Sequence, residues 1–166
     1  MIGAIERLYR CAMLAFGRGR ITFVDDSGVV QKLQVRFGPL EIIDNMPAPH
    51  DYGYTCHPPI GSDVFASFLG GNRSNGLVVS IGSQAYRMKN LASGEVAIYD
   101  ALGQSVHLTQ AGIVINSAGL PITINGDIQL NGSLSATGDV IADGVSQIHH
   151  KHDGVRAGVD QTGEPV

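Results

Sequence analysis

The sequence predicts an all-β protein in two zones, a small barrel or sandwich followed by a slim shaft of short repeated strands. Three observations lead there. Apolar and polar residues alternate over most of the chain, which is the period of a half-buried strand. Glycine occurs 22 times in 166 residues with no three-residue period, so turns are frequent and strands must be short. Residues 122–145 scan in sixes, ITINGD, IQLNGS, LSATGD and VIADGV, with an aliphatic residue first and an aliphatic or Ala third.

Residues 1–16 come first. Ile5, Leu8, Ala12 and Phe16 fall on one side of a helix, which predicts a short N-terminal arm or docking helix. A membrane-surface helix fits less well, because the polar face is short and carries few cations. Residues 17–85 then read as strand, turn, strand. ITFVDDSGVVQKLQVRF is a hairpin with a turn at Asp25, Asp26, Ser27 and Gly28, and with Val30, Leu33, Val35 and Phe37 in its second strand. A strand near Glu41 to Ile43 and a Pro-broken loop follow, continuing through YGYTC, where Tyr52 and Tyr54 alternate. SDVFASFLGG sets Val64, Ala66 and Phe68 on one face, with Phe65 and Leu69 on the other. NRSNGLVVSIG adds a last strand behind an Asn-Gly turn. Five or six short strands without a long helix suggest a small closed barrel of the OB type, or a compact sandwich. Closure would remove the exposed strand edges that a small domain must otherwise guard.

Residues 86–94 read as a connector, and residues 95–148 as the shaft. EVAIYDALGQSVHLTQAGIVINSAGLP gives three alternating strands, marked by Val96 and Ile98, Val106 and Leu108, and Ile113 and Ile115. In the hexad repeat, positions one and three point to the same face. They form a stripe of Ile122, Ile124, Ile128, Leu130, Leu134 and Val140. Asn-Gly, Thr-Gly or Asp-Gly at positions four and five supplies backbone that tolerates positive φ.

Such a unit cannot bury its own stripe, and two arrangements would do so. A single-chain left-handed β-helix uses three units per coil. Four units then give little more than one coil, short of the roughly three stacked repeats that stability needs. Alternatively, three copies wind around one axis and their stripes meet in the middle. Six side chains per chain at roughly 1.5–3 kcal/mol each would then favour the trimer, before entropy is subtracted. The outward Thr123, Asp127, Gln129, Ser133 and Ser135 are small and polar, which suits a slim soluble shaft. The trimer is the expectation.

The repeat runs into SQIHHKHDGVRAGVDQTGEPV. His150 and His152 are two apart, so in an extended strand they project together. A threefold axis would turn two imidazoles into six. Six nitrogens suit a transition metal, Fe(II) first, with Ni or Co possible on ligand grounds. Structural zinc sites usually take four ligands and match less well. His149 is expected to face away from the axis. His50, His57 and His107 have no partner spacing and read as ordinary surface or strand histidines.

Other function classes find little support. A formal charge of -4 argues against nucleic acid as the main partner, since phosphate binding needs a basic surface. No apolar run approaches the roughly 20 residues that span a bilayer. IERLYRCAMLAF mixes charges into its apolar residues, unlike a secretory signal. Cys11 and Cys56 are expected to be free, as in a reducing cytosol. No GxSxG, HExxH or phosphate-loop pattern occurs, and Asp25, Asp26 and Asp100 read as turn residues. The expectation is a protein that is not an enzyme.

HKHDGVRAGVDQTGEPV resembles the closing HxH, Gly-rich and TGxP run of contractile-phage tail spikes, the baseplate assembly protein V family. GRITFVDDSGVVQKLQVRF, GNRSNGLVVSIG and GEVAIYDALGQSVHLT are similar to its Mu-type branch, so the resemblance covers nearly the whole chain from Gly17 on. It implies a homotrimer with an OB-fold domain joined to an intertwined triple-stranded β-helix. It implies an apex at residues 149–166 whose His150 and His152 hold an iron ion, one per trimer. It also implies attachment to a baseplate hub protein, a place at the tip of the virion's tail baseplate after assembly in the host cytoplasm, and puncture of the host outer membrane. The rival expectation is a trimeric OB-fold module that recognises oligosaccharide or single-stranded nucleic acid. Tyr52 and Tyr54 would be its aromatics, but Lys and Arg do not cluster beside them.

Overall fold

The structure is a computed structural model that describes residues 2–154 and 158. The chain divides into a unit of residues 1–122 and a second of residues 123–166. The first opens with helix α1 (Ile2–Met13). Phe16, expected on that helix, is instead the first residue of strand β1 (Phe16–Asp25). The Ala15 N–H bonds the Ala12 carbonyl at 3.3 Å, three residues back, which tightens and ends the helix. The Phe68 N–H then takes the Ala15 carbonyl at 2.7 Å and draws the chain into the sheet.

Strands β2 (Lys32–Gly38), β3 (Glu41–Pro47), β4 (Asp63–Phe68) and β5 (Gly76–Gly82) join β1 in an antiparallel sheet of order β3-β2-β1-β4-β5. β1 serves two neighbours. Its first half, from Phe16 to Arg20, pairs with β4, and its second half, from Arg20 to Asp25, pairs with β2. The register shifts between Ile21 and Phe23, and such a bulge bends and twists the strand that carries it. The curl wraps a core of Ile21, Leu33, Val35, Met46, Val64, Ala66, Phe68 and Val78. The alternation read for Leu33 and Val35, and for Val64, Ala66 and Phe68, is the alternation found.

The edge strands β3 and β5 approach each other across this core. A Cβ on Gly76 of β5 would stand 2.9 Å from Met46 Cε of β3. Arg73, in the β4–β5 turn, reaches Glu41 of β3 at 2.7 Å while its guanidinium lies 3.7 Å over the Phe68 ring. No ladder of hydrogen bonds joins these two edges, so the expected closed barrel is not completed by this sheet. The chain tolerates such closeness only with small residues. A Cβ on Gly19 would meet Val35 Cγ1 at 2.6 Å and the Arg36 carbonyl oxygen at 2.7 Å. Gly19→Ala should therefore lower stability by about 1–3 kcal/mol. Gly38→Ala, with nothing within 4 Å of its Cβ, should stay close to the parent in the same urea titration.

Between β3 and β4 the strand expected through YGYTC does not form. Pro47, Pro49, Pro58 and Pro59 remove backbone donors there. The buried Gln31 organises the loop instead. Its Nε2 donates to Asp26 Oδ1 at 2.8 Å and to the Cys56 carbonyl at 3.0 Å, and its own carbonyl accepts the Ala48 N–H at 2.9 Å. Val30 lies outside β2, in the turn. Cys11 and Cys56 are both free.

Strands β6 (Val96–Tyr99), β7 (Ser105–Thr109) and β8 (Gly112–Asn116) form an antiparallel meander in the same unit. Its register aligns Val96, Leu108 and Ile113, and next to them Ile98, Val106 and Ile115. All six belong to one face, and all are partly or largely exposed. Asp100 is the turn residue expected, its Oδ1 accepting the N–H groups of Leu102 and Gln104 at 2.8 Å each. Glu95 ties the meander together. It accepts the N–H of Ala92 at 2.9 Å and of Gln110 at 3.2 Å, with His107 Nε2 at 3.3 Å.

These bonds, the Ala92 N–H foremost, hold the Glu95 carboxyl below its ordinary value. A carboxyl depressed in the folded state stabilises it above the unfolded pKa, and that contribution fades as pH falls through the folded value. The meander should accordingly loosen below about pH 4. Thermal melts at pH 3 and pH 6 should differ less for Glu95→Gln than for the parent.

In the second unit, β9 (Ile141–Ala142) and β10 (Val145–Ser146) form a two-residue hairpin. Asp143 and Gly144 turn it, with φ of 48° and 77°, the positive pair that this tight turn requires. Upstream, Gly126 and Gly132 stand six residues apart and share a φ of 151° and 153°, a match that the equivalent Gly138 and Gly144 of the later hexads do not continue. No strand is assigned between residues 117 and 140 of the single chain.

Candidate functional site

The hexad stripe is the largest departure from ordinary burial. Ile122, Ile124, Ile128, Leu130, Leu134 and Val140 are between 41% and 74% exposed, whereas the sheet core is at most 4% exposed. Ile141, Val145 and Ile148 continue the exposed run. Scattered exposed aliphatics are normal on a monomer, but a contiguous apolar stripe marks an association surface.

At the end of that stripe, the structure brings together the two histidines singled out by their spacing. The rings of His150 and His152 lie 5.0 Å apart at 83° to each other, and both residues are exposed. They follow a turn at residues 147–149, not the extended strand expected. The His150 N–H bonds the Ser146 carbonyl at 3.1 Å, and His150 Nδ1 lies 2.9 Å from the same oxygen. A carbonyl only accepts, so Nδ1 is the donor in this contact. The His149 backbone N–H donates to Ser146 Oγ at 2.8 Å.

Sequence reading missed the residues that hold this turn. Asp139 accepts a hydrogen bond from the Ser146 side chain, and its Oδ1 lies 3.2 Å from the Ile148 N–H. These bonds, Ser146 first, keep the Asp139 carboxyl below its usual value. Asp139 and Ser146 are seven apart with a hairpin between them, and no local motif announces the pair.

Two imidazoles from one chain leave most of a transition metal's coordination shell open. Among the described residues, no group of three or more His, Cys, Asp or Glu could hold a metal ion. What one chain does provide is two neighbouring imidazoles, one donating its Nδ1–H to a backbone carbonyl, a common second contact of metal-binding histidines. Two such rings do not complete a metal site within one chain. The expected fold-back of DGVRAGVDQTGEPV beyond residue 154 falls, apart from residue 158, outside the described residues.

Residues 18–85, essentially the five-stranded sheet, match the family described as Bacteriophage Mu Gp45, N-terminal. Two proteins are similar over most of their length. The baseplate puncturing device gp45 of Escherichia phage Mu is 26% identical over 176 residues, covering 91% of this chain and 89% of that protein. The Mu-like prophage FluMu protein gp45 of Haemophilus influenzae is 25% identical over 182 residues, covering 98% and 96%. The chain is thus similar to Mu-type gp45 proteins, in its first half by the family match and along most of its length by these two relatives.

The structure also has a cleft of about 690 Å³. Its walls come from loop residues 49–62, the end of β5, Tyr86 and the β6–β7 turn. Cys56 lies in the wall, where burial pushes its thiol up, so it stays protonated and poorly nucleophilic. His50 Nε2 and Ser62 Oγ, on two residues of the same wall, are buried without a hydrogen-bond partner among the described residues.

Proposed function

We propose that this protein is the central spike of a contractile-tail baseplate, a structural component that pierces the host outer membrane when the sheath contracts. One observation carries the reading. The aliphatic stripe of the repeat is exposed along its length in a single chain, in a protein whose full-length relative in phage Mu is named a baseplate puncturing device. Two sister copies around a threefold axis bury that stripe, and closed symmetry leaves no sticky end. The six-residue sequence repeat supports a winding in which each copy adds an equivalent side to a triple-stranded β-helix.

In this reading the five-stranded sheet is an OB-type domain, supported by the strand order and by the approach of β3 to β5. That domain attaches to the baseplate hub, and the shaft is the part that enters the membrane. At the apex, His150 and His152 of three copies would offer six nitrogens, a set that suits Fe(II). The ion would supply a cross-link and no reaction. It would pin three chain ends that otherwise fray. No catalytic step is needed, because the work comes from contraction and the protein contributes a narrow tip. Electron micrographs of the purified protein should show slender, tapering particles. Rounded particles of single-chain size would sink the reading.

A further inference from the structure

The cleft beside β5 is not used by a spike that works by shape alone, and its chemistry is specific. At about 690 Å³ it lies within the roughly 300–1,000 Å³ typical of small-ligand sites. Tyr54, Tyr86 and Tyr99 line it, and each keeps between 39% and 55% of its surface exposed. Asp51, Asp100 and His50 line it as well, while no Lys or Arg does. One oxygen of Asp100 is committed to its turn, and the Asp51 side chain makes no hydrogen bond among the described residues.

Each feature narrows the ligand. Without a cation in the wall, phosphates, nucleic acid and acidic sugars are disfavoured, because their charge would meet carboxylates and find no partner. Open tyrosine faces favour a ligand with a flat apolar side. Carboxylates and imidazoles around them favour hydroxyl donors, and a hydrogen bond to a charged acceptor is among the stronger ones. The buried, unpartnered atoms of His50 and Ser62 add hydrogen-bonding capacity that a hydroxyl-rich occupant can meet. An apolar face with hydroxyls around its rim describes a pyranose ring.

We propose that this cleft binds a neutral saccharide, with tyrosine faces stacking on the sugar and Asp51 accepting from its hydroxyls. A spike carrying such a site would recognise neutral glycan as well as puncture.

The full-length protein should be applied to an array of neutral and acidic glycans, and the best neutral binder titrated by calorimetry with choline and inorganic phosphate as controls. A neutral glycan should bind, and phosphate should not. Tyr86→Ala and Asp51→Asn should each weaken binding about tenfold, the loss of roughly one good contact. Tyr86→Phe, which keeps the ring face, should retain most of the affinity. Both positions are exposed, so circular dichroism and solution mass should match the parent. The proposal is overturned if no neutral glycan binds, if choline binds in preference, or if Tyr86→Ala and Asp51→Asn leave binding intact. A changed solution mass in those variants would instead make the cleft a seat for a neighbouring copy, and would also overturn it. The glycan-binding results themselves are independent of whether the repeat trimerises.

Discussion

Aspartate at both Ile124 and Leu130 should break the protein into single chains. Each side chain belongs to the exposed stripe, and neither touches the sheet core. In a threefold shaft the double variant removes two aliphatics from each of three chains. Each removal forfeits about 1.5–3 kcal/mol of burial. Three carboxylates would then face one another near a dry axis, where desolvation and like charge both oppose association. The loss far exceeds the few kcal/mol that a single substitution usually costs, so a partial effect is not expected. Sedimentation should show a fall to monomer mass, while the five-stranded sheet keeps its circular dichroism. Thr123→Asp, on the outward side of the same unit, should leave the mass unchanged. An Ile124→Asp, Leu130→Asp protein that still sediments like the parent would mean that the stripe is not the interface.

The second large effect concerns the apex. Replacing His150 and His152 together with Ala should abolish bound transition metal, which elemental analysis of the parent should find at about one ion per three chains. The single variants should lose most of it, because an octahedral shell that drops from six nitrogens to three is no longer complete. His149→Ala should retain the metal, since the His149 backbone, not its ring, carries the contact to Ser146. Ser146→Ala should weaken retention without removing a ligand. It loses the Ser146 bonds to Asp139 and to the His149 N–H that hold the turn. Full metal content in the double variant would place the ion elsewhere or make it adventitious.

The legible and illegible parts of this fold separate along a physical line. The core strands could be read because alternation is a property of the strand itself, so Val64, Ala66 and Phe68 declare their shared face without reference to any partner. The loop after β3 could not. Its course depends on Gln31, a residue distant in sequence whose side chain bonds Asp26 and Cys56. Phe16 reads as helical in the sequence because apolar spacing continues past the point where a short-range hydrogen bond ends the helix.

The repeat presents the opposite case. Its period is the plainest signal in the sequence, yet one chain forms strand only at Ile141–Ala142 and Val145–Ser146. Ladder hydrogen bonds need a neighbour, and the proposed winding of three chains would place that neighbour on another molecule. The histidine pair was legible from its spacing, whereas the Asp139–Ser146 brace below it arises only once the hairpin folds.

The mass of the unaltered protein in solution decides most. Multi-angle light scattering at micromolar concentration should return about three times the 17.5 kDa of one chain. That value should hold steady on dilution. A well-folded, monodisperse particle of 17.5 kDa would contradict it, leaving the aliphatic stripe bare to water and the paired imidazoles without sisters.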